Sequence, residues 1–102
     1  MKVGTIEDGD TLTFYENDLY VILSEARSRH YIIFTVGSPG YPSQSIRGAS
    51  VGDSFYYQGK SSFQVVITSY SQIGLTNSSV DFTVINLEDG KVHITPTPDD
   101  EP

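Results

Sequence analysis

The stretch GDSFYYQGKSSFQVVIT, residues 52–68, repeats in outline a stretch met earlier in the chain, GDTLTFYENDLYVILSE, residues 9–25. Each opens on Gly-Asp and runs through an apolar–polar alternation, a turn-forming cluster and a second alternation. Leu19, Val21 and Leu23 match Phe63, Val65 and Ile67; further on, Phe34 and Val36 match Phe82 and Val84. The offset grows from 43 to 44 to 48 residues. The growth falls in the turns, where added residues cost least. This is the pattern of an internal duplication, with repeat one at about 9–36 and repeat two at about 52–84. IEDGD at 6–10 also recurs as LEDGK at 87–91, so the last segment reads as the start of a truncated third copy.

The period of the repeated unit is two, and its residues are rich in Val, Ile, Thr, Tyr and Phe, which identifies strands. No window carries a helical stripe. Strands are expected near 2–6, 11–15, 19–25, 30–36, 54–57, 62–69, 79–86 and 91–95. The turn clusters EDG at 7–9, YEND at 15–18, QGKS at 58–61 and LEDG at 87–90 separate them. The residues 37–50, GSPGYPSQSIRGAS, read as a long irregular connection between the repeats. About eight short strands at this spacing predict an all-β fold, a small β-sandwich or barrel built from two duplicated three-stranded units. One such unit has a single apolar face and nothing to cover it; two can cover each other. The expected core is Leu12, Phe14, Leu19, Val21, Leu23, Ile32, Phe34, Val36, Phe55, Tyr57, Phe63, Val65, Ile67, Val80, Phe82 and Val84.

A chain of 102 residues is one domain of common size. The expected domain is 1–95, followed by a disordered acidic tail at 96–102, PTPDDEP, by its prolines and carboxylates. There is no cysteine, which removes disulfides and thiolate metal sites. The first ten residues are too polar for a signal peptide and no apolar run approaches ~20 residues, so a cytoplasmic or virion-associated protein is expected. The net charge of −7 is uneven: residues 1–18 and 88–102 each sum to −4, and the stretch between them to +1. A basic stripe is lacking, so direct nucleic-acid binding is not expected. Asp8, Asp10, Glu88 and Asp89 lie in the two EDG turns and would make one acidic pole if those turns adjoin.

No nucleophile elbow, metal-ligand spacing or phosphate loop is present, and neither His30 nor His93 has a partner at a ligand spacing. An enzyme is not expected, nor a cofactor or metal. The two repeats differ on their outward faces. Repeat two presents Gln64, Val66, Thr68, Ser79, Asp81 and Thr83. Repeat one presents Tyr20, Ile22, Tyr31 and Ile33 at the matching places. With Ser24 paired near Arg29, Tyr20 would face Ile33 and Ile22 would face Tyr31, forming one apolar cluster on the outer surface. Such a cluster marks an interface. The expected function is therefore a non-enzymatic protein–protein interaction or structural module, a phage or bacterial accessory or assembly protein by general outline. It would bind a protein partner or itself as a homodimer through this face. The alternative is an acidic inhibitor that imitates nucleic acid; a carbohydrate-binding module is a third reading.

Overall fold

A computed structural model describes residues 1–88 and shows eight antiparallel strands and no helix among them. They are β1 (Lys2–Glu7), β2 (Thr11–Phe14), β3 (Leu19–Ser28), β4 (Tyr31–Gly37), β5 (Gln44–Ala49), β6 (Ser54–Gln58), β7 (Ser62–Gln72) and β8 (Ser78–Asn86). Two four-stranded sheets, ordered β1-β8-β7-β6 and β2-β3-β4-β5, pack face to face as a β-sandwich. The expected strand at 91–95 and the tail at 96–102 lie outside the described residues.

The chain changes sheet twice, and both changes occur at a Gly-Asp. Between β1 and β2, the amide of Asp10 donates to the carbonyl of Glu7 at 2.9 Å; between β5 and β6, that of Asp53 donates to Ser50 at 3.0 Å. Gly9 and Gly52 sit third in these four-residue turns with φ of +84° and +98°. That position of a type II turn needs a positive φ, which glycine adopts without penalty. Each corner then docks on the strand beside it in the same way. Gly9 N–H donates to Leu23 O and Leu23 N–H to Asp10 O, while Gly52 N–H donates to Ile67 O and Ile67 N–H to Asp53 O, all at 2.7–3.0 Å. Just beyond, each partner strand carries a β-bulge, between Leu23 and Glu25 in β3 and between Ile67 and Ser69 in β7.

The correspondence of the halves reaches further than residues 9–36 and 52–84. β1 ends two residues before its Gly-Asp and β5 three, and each joins the sheet of the other half. Ile6 on β1 pairs with Val80 on β8; Ala49 on β5 pairs with Ile32 on β4. These are equivalent pairs at the same offsets of 43 and 48. Two tyrosines repeat the exchange. The Tyr15 hydroxyl, after β2, donates to Val84 O at 2.9 Å and accepts from Asn86 N–H at 3.2 Å on the opposite sheet. The Tyr57 hydroxyl, on β6, accepts from Ser38 N–H at 3.0 Å just past β4 and donates to Pro42 O at 2.7 Å. Each thereby satisfies a backbone amide at a strand end that the ladder leaves without a partner.

Residues 37–50 contain β5 and are not a plain connection. β5 escapes the alternation test because it is an edge strand that needs few inward contacts, Ile46 and Ala49. The core follows the expected list, with Leu12 and Phe55 half-buried, and adds Ile6, Ala26 and Ala49. At its centre Phe34 and Phe82, the equivalent residues of the two halves, meet with ring centroids 5.2 Å apart and tilted by 60°. Phe34 also meets Phe55 edge-on at 5.5 Å.

Two expectations follow for stability. Phe34→Ala and Phe82→Ala each open a cavity at this contact and should lower the unfolding free energy by about 3–5 kcal/mol in urea titrations. Gly9→Ala and Gly52→Ala meet open space, so the loss should be conformational alone, about 1 kcal/mol or somewhat more for each. A loss at one corner only would mean that the two turns are not under the same constraint.

Candidate interaction surfaces

Tyr20 and Ile22 on β3 and Tyr31 and Ile33 on β4 do share the outward face of one sheet, but not in the expected pairs. Tyr20 lies opposite Gly37, Ile22 opposite Thr35, Glu25 opposite Ile33 and Ser28 opposite Tyr31. Bulges after Leu23 and after Ala26 lengthen β3 to Ser28 and shift its register against β4. The four side chains therefore run as a diagonal, Tyr20–Ile22–Ile33–Tyr31, across the two strands. Diagonal neighbours in an antiparallel pair remain within reach of large side chains.

The diagonal is ordered by its surroundings. The Tyr20 ring lies over Gly37 so closely that a Cβ there would overlap it. Tyr31 covers the backbone of Gly48 on β5 on one side. On the other, the Arg27 guanidinium stands 4.9 Å from its ring centre. Arg27 is held by Glu25 at 3.0 Å, and that hydrogen bond and charge raise its pKa further. Ile33 is 7% exposed and lies outside the main core cluster; Tyr20, Ile22 and Tyr31 are half-buried. The face is thus a partly self-covered apolar stripe flanked by Arg27 and by exposed Arg47 on β5.

The outer face of the other sheet has two regions. At one, the Asp81 carboxylate accepts hydrogen bonds from Thr5 at 2.6 Å and Ser69 at 2.7 Å. At the other, Val3 (66% exposed) and Tyr56 (68% exposed) lie on the two edge strands, with half-buried Val66 and Ile85 between them. The sequence reading omitted this region because Val3 joins it only through the pairing of β1 with β8, across nearly the whole chain.

Among the described residues, Asp8, Asp10 and Glu88 are not gathered into one pole. Asp8 sits where β1 turns into β2, beside Ser78 at the start of β8, and accepts a hydrogen bond from Ala26 N–H at 3.2 Å. Asp10 belongs to the same corner. Glu88 lies past the other end of β8, where it accepts from Ser62 N–H at 2.8 Å. The nine residues of β8, Ser78–Asn86, lie between the two places and span about 26 Å. Asp89 lies outside the described residues. Among the described residues no group of three His, Cys, Asp or Glu is placed to hold a metal ion.

A polar cleft of about 480 Å³ lies at the β2–β3 turn, lined by Lys2, Tyr15, Glu16, Asp18 and Asn86. Its turn holds three successive non-glycine residues at positive φ, Tyr15 (53°), Glu16 (54°) and Asn17 (72°). The strain is sustained by the two hydrogen bonds of Tyr15 and by an ion pair of Lys60 with Asp18 at 3.5 Å. No family model, curated protein or solved structure matches this chain.

The Asp81 pKa is held below the usual aspartate value, first by the Thr5 hydroxyl and then by that of Ser69. A lowered folded pKa stabilises the fold above the unfolded value, about 3.9, and the gain is lost as pH falls through the folded value. Asp81→Asn should be less stable than the parent chain at pH 7, and the gap should begin to narrow below about pH 4. Urea midpoints of both proteins at pH 7 and pH 3 measure it; a gap as wide at pH 3 as at pH 7 would remove the carboxylate from the explanation.

Proposed function

We propose that this is a non-enzymatic protein-binding β-sandwich that engages a protein partner through the Tyr20–Ile22–Ile33–Tyr31 face. The observation that carries the reading is the fixed position of the two rings, Tyr20 over Gly37 and Tyr31 between Gly48 and Arg27. Aromatic and arginine side chains dominate the energy of protein interfaces. Rings already immobilised lose little further freedom on binding. Ile33, buried beneath, supports the face, while Ile22 and the rings would supply the contact. Exposed Arg47 suits a partner with an acidic group at its rim, Arg27 being already paired with Glu25. The alternative of a nucleic-acid mimic is less favoured, because the carboxylates of the described residues are dispersed over both ends of the sandwich.

Affinity capture with the intact chain, followed by quantitative mass spectrometry, tests this against the double variant Ile22→Asp, Tyr31→Ser. A partner of this face should fall at least about tenfold in recovery with the variant, the loss of about one hot-spot contact or more. It should also remain bound in about 0.5 M salt, where exposed charge pairs are screened. The circular dichroism of the variant should stay that of a β protein. A partner that is instead lost in salt, and lost with Asp8→Asn, Asp10→Asn while indifferent to the face variant, would replace this reading with the acidic one.

A further inference from the structure

The two sheets end in four edge strands, and they are not equally guarded. Natural sheets protect open edges by charge, shortness or bulges. β1 carries Lys2 and Glu7; β2 has only four residues; β5 is broken by a bulge, with exposed Arg47 within it. β6, one residue longer than β2, has neither charge nor bulge. It reads Ser-Phe-Tyr-Tyr-Gln, without charge, proline or bulge, and pairs in regular register with β7 alone among the described residues. At its centre stands Tyr56, 68% exposed.

The geometry points to β6 as a self-association edge, through which two copies join their β1-β8-β7-β6 sheets into one eight-stranded sheet. The occupant is a second copy because the strand is nearly palindromic. Antiparallel pairing about a twofold axis at Tyr56 sets Tyr56 against its own equivalent. It sets Phe55 against Tyr57 of the other copy, and Ser54 against Gln58. Every pair then joins like with like on the same face of the sheet, aromatic inside and polar at the ends. A twofold contact of this kind uses the same patch on both molecules and closes at two. The absence of charge on β6 matters as well. The chain carries a net charge of −7, and an uncharged edge lets two such molecules meet without opposing carboxylates. A contact this small is of the weak, concentration-dependent class. The inference goes beyond the binding face proposed above and does not depend on it, since β6 belongs to the other sheet.

The test is the mass of the intact chain in solution. Light scattering during size exclusion should show the 11.2 kDa monomer moving toward twice that mass as concentration rises. Tyr56→Lys places two like charges opposite each other at the axis and should hold the protein monomeric, with its β circular dichroism unchanged. The chain contains no cysteine, so Tyr56→Cys adds a single thiol. Residues opposite each other in an antiparallel pair are about 4.5–5.5 Å apart at Cα, within the span of a disulfide. Mild oxidation should therefore yield a covalent dimer from Tyr56→Cys, and not from Val3→Cys, which is equally exposed on the far edge of the same sheet. The inference is overturned by a protein that stays monomeric at every concentration, or by equal cross-linking of the two variants. It is overturned too by a dimer that survives Tyr56→Lys but is lost with Ile22→Asp, which would place self-association on the face of the other sheet.

Discussion

The fold depends on two left-handed glycines. Gly9 and Gly52 stand at the two places where the chain leaves one sheet for the other, each with a positive φ and each delivering the following aspartate to a bulged neighbour. Without these turns the chain would run on within the sheet of β1 at the first corner and within that of β5 at the second. With them, each half gives its first strand to the sheet of the other. The halves are therefore not separable layers. The sheet that contains β2, β3 and β4 ends in β5 from the second half, and the sheet of β6, β7 and β8 ends in β1 from the first. Tyr15 and Tyr57 add to the same dependence by closing strand ends across the sandwich, each on backbone from the opposite half.

Much of this was legible because burial in a two-layer sheet protein writes itself into alternation. β3, β7 and β8 each bury one side chain in two along their central run, and they were readable from residue types alone. β5 was not, because an edge strand with two inward contacts leaves almost no alternation to detect. The bulges were not legible either. A bulge adds a residue that a corner on another strand will occupy, and nothing local marks it. The register of Tyr20 and Ile22 against β4 shifted for that reason, although their assignment to the outward face did not. Alanine in the core is similarly silent: Ala26 and Ala49 are buried because neighbouring strands crowd them, not because alanine demands it. The Gly-Asp repeat, by contrast, was visible in the chain as a signature, and its reason, a change of sheet, is visible only in three dimensions.

The surface obeys a different logic. The expectation of an exposed Tyr/Ile cluster treated the four residues as bare, yet they are partly covered by things the strands themselves do not announce. Gly37 gives Tyr20 a flat seat, and Arg27 reaches over Tyr31. A large side chain set over a glycine in a sheet recovers apolar contact that the glycine cannot offer, so both residues are stabilised as strand members. The same arrangement that lowers the exposure of these rings also fixes them. Partial burial thus weakens the argument that something must cover the face, and strengthens the argument that the face is prepared for contact.

The two halves share turns, bulges, inward residues and cross-sheet tyrosines, and they differ where none of these constraints apply. Outward positions of a strand are free of the core, and a change there costs little as long as the pleat is kept. One outer face has become an aromatic and arginine stripe. The other has become a hydroxyl-bound aspartate beside an apolar margin. Edge strands have diverged in the same manner: β2 and its equivalent β6 are both uncharged and regular, but β2 reads Thr-Leu-Thr-Phe while β6 carries three successive aromatic residues. The repeated interior accounts for the stability of the sandwich but cannot distinguish one of its faces from the other. The residues at which the two halves are unlike are therefore the ones that give each face of the sandwich its own chemistry.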